Sequence, residues 1–172
     1  AEKYPEIVLK AHKAGHTIGN HSYAHRRASD MTYQEIEQSY ERTDLIIRAI
    51  TGQSKILFRA PYFNTSPDSR AYLCKIGRNS VFTDISGKDW ETQDPETIIE
   101  NLFHKRLPTA KPIGESPVVL LHDSGQGDFG TRQGTVDATD TFIMMMRAQG
   151  HDFSDMPPTH RWQLTKEECA NL

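Results

Sequence analysis

Two histidines four positions apart are the first residues in the chain that could bind a metal ion. On one turn of helix, His21 and His25 would project their imidazoles to the same side. Imidazole nitrogens are common ligands of zinc, so this spacing predicts part of a zinc site. His12 and His16 have the same spacing, but Gly15 ends the helix between them and splits the pair. We therefore take His21 and His25 as the candidate ligands.

Polar side chains that could do chemistry also follow three apolar runs. Arg59 follows Ile56-Leu57-Phe58, Asp89 and Trp90 come after Val81-Phe82-Thr83, and His122 with Asp123 follows Val118-Val119-Leu120-Leu121. Arg59 could orient a carboxylate, and a capping salt bridge is its alternative role. His122 stands where a general acid would need to be. Asp89 and Trp90 fit either a functional pair or a loop acid beside a packing aromatic.

The elements that must position these residues alternate between helix and strand. Five helices are predicted, at about residues 4–14, 33–50, 66–77, 95–103 and 136–149. The apolar runs between them and a further strand candidate, Thr17-Ile18, are short, as the strands of a parallel sheet buried on both faces are. Ligands of such folds bind beyond the carboxyl ends of the strands, so the polar residues are expected at one rim. An open doubly wound sheet and a reduced (β/α) barrel both satisfy this pattern.

Local cap signals fix where several of these helices begin and end. Thr32 and Glu35 form a capping-box pattern, and Gly52 follows the last turn of the same helix. Ser66-Pro67 and Asp94-Pro95 each place an N-cap residue before a proline in the first helical turn. The candidate core residues of the first helix are Ile7, Leu9 and Ala11.

Composition limits the classes of protein that this chain can be. With 172 residues, 36% of them hydrophobic, it is long enough for one domain with a core. A net charge of -3 without a basic block argues against nucleic acid as a partner. The sequence has no apolar run near the roughly 20 residues that cross a bilayer, so we expect no transmembrane segment. Cys74 and Cys169 could form one disulfide or remain two thiols.

Taken together, four segments resemble the motifs of the NodB-type polysaccharide deacetylases, which form carbohydrate esterase family four. The matching segments are His21-Ser22-Tyr23-Ala24-His25, Arg59-Ala60-Pro61-Tyr62, Asp89-Trp90 and Leu120-Leu121-His122-Asp123, in the family's order. The resemblance covers about residues 1–155 and implies one deacetylase domain there, with residues 156–172 as a tail. It also implies the family's fold, which is α/β with a distorted, incomplete (β/α) barrel of parallel strands and outer helices.

The resemblance implies a metal-dependent hydrolase that removes acetyl groups from N-acetylglucosamine polymers such as chitin or peptidoglycan, or from acetylated xylan. His21 and His25 would be two of three protein ligands of a divalent metal, usually Zn2+, with Co2+ or Ni2+ as alternatives. Water activated by the metal would attack the acetyl carbonyl. By the same resemblance the protein would act outside the cell or in the cell envelope, a location that this chain itself does not reveal.

The family's motif residues have roles that can be carried over to this chain. His122 would protonate the leaving amine, Asp89 would tune His122, and Arg59 would hold the catalytic base. Three further residues would contact the substrate. The backbone N–H of Tyr62 would bind the oxyanion, and Trp90 and Leu120 would line the acetyl pocket.

One motif of the family has no counterpart in this sequence. It is a Thr-Phe-Asp-Asp stretch whose aspartates supply the base and the third metal ligand, and the chain contains no Asp-Asp pair. The stretch could lie on a separate chain, could be missing from this one, or could have been lost in a degenerate homologue. Because the chain begins without Met and the other motifs are intact, we expect a fragment, and a separate N-terminal segment could supply the missing aspartates. A smaller departure is Phe63, where the family often has glycine.

Functions of other classes stay open at this point. A non-catalytic carbohydrate-binding homologue would keep the groove and lack the base, and an Asp-Asp pair upstream of Ala1 would argue against it. A hydrolase of the same superfamily could act on a small cyclic amide, but Trp90 and the His-Ser-x-x-His form favour a glycan. A purely structural protein explains the polar residues at the strand ends poorly.

Overall fold

The computed structural model describes residues 1–78, 80–104, 117–124, 131–154, 161–162 and 166–170. The chain divides into two compact units. The first unit comprises Ala1–Val81 and Pro158–Leu172, and the second comprises Phe82–Pro157. Each unit carries its own sheet and its own set of helices, so each is described separately below.

The first unit is a four-stranded sheet with helices. Its elements are α1 (Pro5–Lys13), β1 (Gly19–Asn20), α2 (Tyr33–Thr51), β2 (Leu57–Phe58), α3 (Pro67–Lys75), β3 (Ser80–Val81), β6 (Arg161–Trp162) and α6 (Lys166–Ala170). The strand order is β1-β2-β3-β6, with β1, β2 and β3 parallel and β6 antiparallel to β3. The described residues of β6 and α6 therefore belong to this unit, and the domain boundary at residue 155 stays a prediction.

The first strand lies two residues later than predicted. Thr17-Ile18 was the predicted strand, whereas the backbone of Gly19 pairs with Leu57 and that of Asn20 with Phe58. A side chain at Gly19 would place its Cβ only 3.3 Å from the carbonyl oxygen of Leu57. Glycine therefore suits this close pairing of β1 with β2, a requirement that side-chain hydrophobicity does not express.

The predicted helix caps in the first unit are confirmed. Thr32 accepts a hydrogen bond from the Glu35 backbone while the Glu35 side chain accepts one from the Thr32 backbone, and Gly52 ends α2 in the left-handed conformation with φ 72°. Ser66 caps α3 in the same reciprocal way with Ser69. Such N-caps typically stabilise a helix by about 1 kcal/mol. They fix where α2 and α3, the helices before and after β2 in the sequence, begin.

The prediction of a buried face on α1 was wrong. None of its residues is buried, and Ile7 is 61% exposed. Leu9 and Ala11 are only partly covered. The helix contacts α2 and lies outside the core, so its apolar positions gain only part of the burial that the periodicity suggested.

Aromatic packing forms the core of the first unit. Tyr40 of α2 packs against Phe58 of β2, with ring centroids 4.4 Å apart, and against Tyr72 of α3 at 5.8 Å. These three side chains are almost fully buried, and each contributes on the order of 1.5–3 kcal/mol through removal from water. The packing holds β2 between two helices and so fixes the segment that follows Phe58.

A disulfide between Cys74 and Cys169 joins α3 to α6, with the Cα atoms 5.7 Å apart. The two thiols that the sequence left undecided are therefore one cross-link. It closes a loop with a sequence separation of 95 residues, and cross-links of native proteins typically add about 2–4 kcal/mol of stability. The described end of the chain is thereby tied to the first unit.

The second unit contains a two-stranded parallel sheet and two long helices. Its elements are β4 (Ile85–Ser86), α4 (Pro95–His104), β5 (Val119–Leu120) and α5 (Gln133–Ala148), with Ile85 opposite Val119. Asp94 caps α4 as predicted, accepting a hydrogen bond from the Thr97 backbone at 3.0 Å. β4 was not predicted, because Asp84-Ile85-Ser86-Gly87 is not an apolar run. Its core residues are Ile98, Leu102, Ala138 and Phe142.

Within the described part of the chain, none of the helices combines the length and the apolar character that crossing a membrane requires.

Candidate functional site

His21 and His25 meet in the first unit, as their spacing predicted. Their Nε2 atoms are 3.1 Å apart and their ring centroids are 4.8 Å apart. The predicted helical turn was wrong, because Ser22 and His25 have left-handed φ angles of 65° and 52° and residues 21–25 form an irregular loop. The pairing therefore comes from the loop conformation. Non-glycine residues with left-handed φ angles carry a conformational cost that the surrounding structure must offset.

The tautomer of His21 follows from a contact to the next strand. Its Nδ1 lies 2.6 Å from the carbonyl oxygen of Arg59, the residue after β2. A carbonyl can only accept, so Nδ1 carries the proton and donates, and Nε2 keeps a lone pair directed at His25. A hydrogen bond of this kind is the usual outer support of a metal-binding histidine.

The two nitrogens fit a shared metal ion. In tetrahedral zinc sites with Zn–N distances of about 2.0–2.1 Å, two nitrogen ligands lie roughly 3.3 Å apart. The observed Nε2–Nε2 distance of 3.1 Å is close to that value. No cluster of three or more His, Cys, Asp and Glu side chains suited to a metal ion occurs in the described ranges. These residues thus provide two ligands of a site that needs further ones.

A buried polar network that sequence analysis did not predict supports the histidine loop. Asn20 donates from Nδ2 to Asp44 Oδ1 at 2.7 Å and to the Tyr40 carbonyl at 2.9 Å. Its Oδ1 accepts from the Ser22 backbone at 2.8 Å. Asp44 in turn forms a two-pronged ion pair with Arg78 that is almost fully buried. The amide of Asn20 thereby links a buried ion pair to the loop that carries both imidazoles.

Replacing Asn20 with alanine is expected to lower zinc affinity about 10-fold, the lower end of the loss seen when support of metal ligands is removed. The Ser22 N–H would lose its acceptor, and the loop would no longer be held in the conformation that pairs the imidazoles. A zinc titration against a chromophoric chelator measures this. Gln53→Ala is the control, because Gln53 donates to the carbonyl of Ile18, directly before the same strand, and its described hydrogen bonds go to Ile18, Lys55 and Thr51. Equal weakening in both variants would contradict the role of Asn20.

Tyr62 lies beside the histidine pair in a 3-10 turn, Pro61–Phe63, that follows β2. It has a left-handed backbone with φ 57°, and its ring contacts the His25 ring edge-on at 4.8 Å between centroids. The ring is 42% exposed. Arg59, two residues after Leu57, contributes its main chain here, donating to the Asn20 carbonyl and accepting from His21. The role of its guanidinium group stays a prediction.

Asp89 and His122 form a second cluster, in the second unit. Asp89 Oδ1 accepts from His122 Nδ1 at 2.8 Å, and Asp89 Oδ2 accepts from the His122 backbone N–H at 2.7 Å. Asp89 is completely buried, whereas the His122 side chain is partly exposed. The carboxylate therefore fixes the ring orientation and leaves Nε2 as the atom that can exchange a proton.

The Asp89 carboxyl group keeps its charge despite its burial. Desolvation alone would raise its pKa, but the hydrogen bonds from the His122 side chain and backbone, together with that from Thr135, outweigh it and hold the pKa below the ordinary value. A buried carboxylate that remains ionised is suited to stabilise a positive charge on the adjacent imidazole.

Helix α5 and the residue before it supply two partners of Asp89 that sequence analysis missed. Thr135 donates to Asp89 Oδ2 at 3.2 Å, and Arg132 donates to the Asp89 carbonyl at 2.6 Å. Gly134 lies so close to Gln93 that an added Cβ would stand 1.9 Å from its carbonyl oxygen. No local signal marks Thr135 or Arg132, whereas a glycine in the first turn of a helix is one sign of close packing.

Trp90 and Leu120 flank this cluster differently. Trp90 is 37% exposed, and its ring lies edge-on to the His122 ring at 5.4 Å. Leu120 is only 5% exposed and belongs to β5. The structure brings Trp90 directly against His122 and places Leu120 within the packed strand, and their part in an acetyl pocket stays a prediction.

Comparison with known proteins places these clusters in a family context. The sequence model described as "Polysaccharide deacetylase" matches residues 1–81. A peptidoglycan-N-acetylglucosamine deacetylase from Bacillus cereus is 27% identical over 97% of this chain and 56% of its own length. A chitooligosaccharide deacetylase from Azorhizobium caulinodans is 29% identical over 91% of this chain and 75% of its own length. The chain thus spans just over half of the Bacillus cereus protein.

Solved structures share the fold. A family 4 carbohydrate esterase from Streptomyces lividans, in complex with acetate, matches with a TM-score of 0.75 and 24% identity, over 92% of this chain and 76% of that one. A CE4 family pseudoenzyme from Bacillus anthracis matches with a TM-score of 0.73 and 20% identity, over 90% and 50%. The predicted fold class, an α/β fold of the incomplete (β/α) barrel type found in NodB-like proteins, is confirmed by these likenesses.

Proposed function

We propose that the chain belongs to the polysaccharide deacetylase family, whose sequence model matches residues 1–81, and that it carries metal-binding and acid–base residues of a hydrolase acting on N-acetylglucosamine polysaccharide. The proposal rests on one observation above all. Two histidine Nε2 atoms lie 3.1 Å apart, and the carbonyl of Arg59 holds the proton of one ring on the opposite nitrogen. Chitin and peptidoglycan are the candidate polymers, because the two relatives named above are deacetylases of such glycans.

The metal would be held by His21 and His25, with zinc as the ion that best fits two imidazoles at this distance. A divalent cation bound there would supply Lewis-acid activation of a water molecule and of the acetyl carbonyl. Tyr62, in its left-handed turn next to His25, would offer its backbone N–H to the oxyanion. Arg59 would orient the carboxylate that acts as the base.

His122 would act as the general acid. Its Nδ1 is engaged by Asp89, so Nε2 would give a proton to the amide nitrogen as the carbon–nitrogen bond breaks and acetate leaves. Asp89 would stabilise the imidazolium before this transfer. Trp90, edge-on to His122, and Leu120 of β5 would line the acetyl pocket.

The base and the third metal ligand would come from outside the described residues. A NodB-type Asp-Asp pair is the candidate, and no such pair occurs in the 172 residues. We propose a separate N-terminal segment as its source, and residues 1–155 as the corresponding part of the deacetylase domain. An oxidising location, outside the cell or in the cell envelope, is supported by the disulfide between Cys74 and Cys169.

Acetate release from chitin oligomers tests the assignment. With zinc supplied, the protein that contains this chain is expected to release acetate, and His122→Ala to lower kcat/KM by about 100-fold or more. The 172 residues alone are expected to release little acetate, because they lack the base. Full activity of the isolated chain would contradict the proposed segment, and retained activity in His122→Ala would contradict the assigned acid.

A non-catalytic carbohydrate-binding homologue is the second candidate. It is supported by the absence of an Asp-Asp pair from the sequence and by the similar fold of a family pseudoenzyme. Glycan binding without acetate release, in the protein that contains this chain and with zinc supplied, would favour this candidate over the hydrolase.

A further inference from the structure

An arginine lies on the face of the tyrosine next to the histidine pair. The guanidinium carbon of Arg27 is 4.3 Å from the centroid of the Tyr62 ring. The same ring contacts His25 at 4.8 Å between centroids, so the charge of Arg27 lies no more than about 9 Å from the His25 ring. A cation thus stands next to the place where an acetylated sugar would bind.

The neighbouring arginine provides an internal comparison. Arg26 is fully engaged, donating to Glu35 at 2.9 Å and to the Asp30 carbonyl at 2.7 Å. Arg27 forms no ion pair with any carboxylate of the described residues. The aromatic ring restrains the guanidinium group without neutralising its charge, and an arginine restrained in this way loses less entropy when it binds an anion.

The planar fork of arginine matches a carboxylate, which it can bind through two parallel N–H···O hydrogen bonds. Neutral N-acetylglucosamine polymers offer no such group. A carboxylate is present in acetylated sugars that carry an acidic substituent next to the acetamido group. Because Arg27 lies no more than about 9 Å from the His25 ring, one residue of the glycan together with its substituent could reach both.

We propose that Arg27, held on the Tyr62 ring, is a specificity determinant that binds a carboxylate carried by the acetylated glycan. The proposal deepens the function proposed above and rests on it. It assigns the site to acidic N-acetylhexosamine glycans in preference to neutral ones. The carboxylate could belong to the sugar itself or to an attached peptide, and both sources present the same anion to Arg27.

A binding experiment on the chain tests whether Arg27 binds a carboxylate, and whether that carboxylate belongs to the sugar or to a peptide. Three ligands are titrated into the 15N-labelled chain with zinc present: N-acetylglucosaminyl-N-acetylmuramic acid without peptide, its methyl ester, and neutral chitobiose. The acid is expected to bind about 5–10-fold more tightly than its ester, and the difference should shrink at high salt. The Nε–H resonance of Arg27 reports directly on the guanidinium group. Repeating the acid titration with a peptide-bearing disaccharide reveals whether the peptide carboxylate binds more tightly.

Variants assign the preference to one residue. Arg27→Gln is expected to bind the acid and its ester equally, while Arg27→Lys keeps part of the preference because it keeps the charge without the fork. Arg26→Gln removes the same charge one residue away and is expected to keep the full preference. Equal binding of acid and ester by the unmodified chain would overturn the proposal, as would equal loss in both glutamine variants. If no glycan binds even to the protein that contains this chain together with the proposed N-terminal segment, the proposed function is refuted along with this inference.

Discussion

Replacing His25 with alanine is expected to abolish measurable zinc binding by the chain, a fall of more than about 100-fold. Loss of a supporting contact alone costs metal sites about 10–100-fold, and this change removes one of the two imidazoles that converge among the described residues. His21 would remain oriented by the Arg59 carbonyl but would be left as a single ligand. Isothermal titration at neutral pH measures the change, because both imidazoles must be unprotonated to bind.

The control for this experiment is His12→Ala. His12 and His16 repeat the four-residue spacing of His21 and His25, but His12 lies within α1 and His16 beyond its end. Zinc affinity should be unchanged in this variant. If His12→Ala weakens zinc binding as much as His25→Ala, or if His25→Ala leaves it intact, the assignment of the metal ligands is wrong.

Replacing Asp89 with asparagine is expected to destabilise the chain by about 2–4 kcal/mol. The carboxylate accepts hydrogen bonds from the His122 ring, the His122 backbone and Thr135 while it is completely buried. In asparagine, an NH2 group replaces one of the two oxygens that accept these hydrogen bonds. The NH2 group is a donor and would face another donor. Urea unfolding at neutral pH measures the loss. Asp123→Asn makes the same substitution at an exposed neighbour and should change stability little.

This stability difference should depend on pH in a defined direction. The folded pKa of Asp89 is depressed below its ordinary value by the hydrogen bonds it accepts, which outweigh the effect of burial. Its charge therefore contributes stability that is fully present above the ordinary pKa of about 3.9. The contribution is lost as the pH falls through the folded pKa. Curves of stability against pH for the unmodified chain and Asp89→Asn should converge toward low pH, and a constant gap would contradict this origin.

Asp89→Asn should also lower acetate release by the protein that contains this chain by about 100-fold or more. Asparagine carries no charge to stabilise a protonated His122, so the imidazolium form that donates its Nε2 proton would be less populated. A comparison of zinc content separates this effect from metal loss, since Asp89 lies in the second unit and the paired histidines lie in the first.

Local signals in the sequence predicted a large part of the structure correctly. Capping residues such as Thr32 and Ser66 were identified because a cap depends on side chains within three positions of the helix start. The prediction was wrong where burial depends on distant neighbours. The apolar positions of α1 remain exposed, and the first strand is set by backbone pairing of Gly19 with Leu57.

The chemical groups and their order were thus readable from the sequence, because motif residues such as His21, His25 and His122 lie beside strand ends that hydrophobicity reveals. Their protonation and orientation depended on the tertiary structure. His21 obtains its tautomer from a carbonyl 38 residues away, and Asp89 meets Thr135 across 46 residues. Contacts between residues so far apart arise only when strands and helices pack, and a single sequence contains no local feature that specifies them.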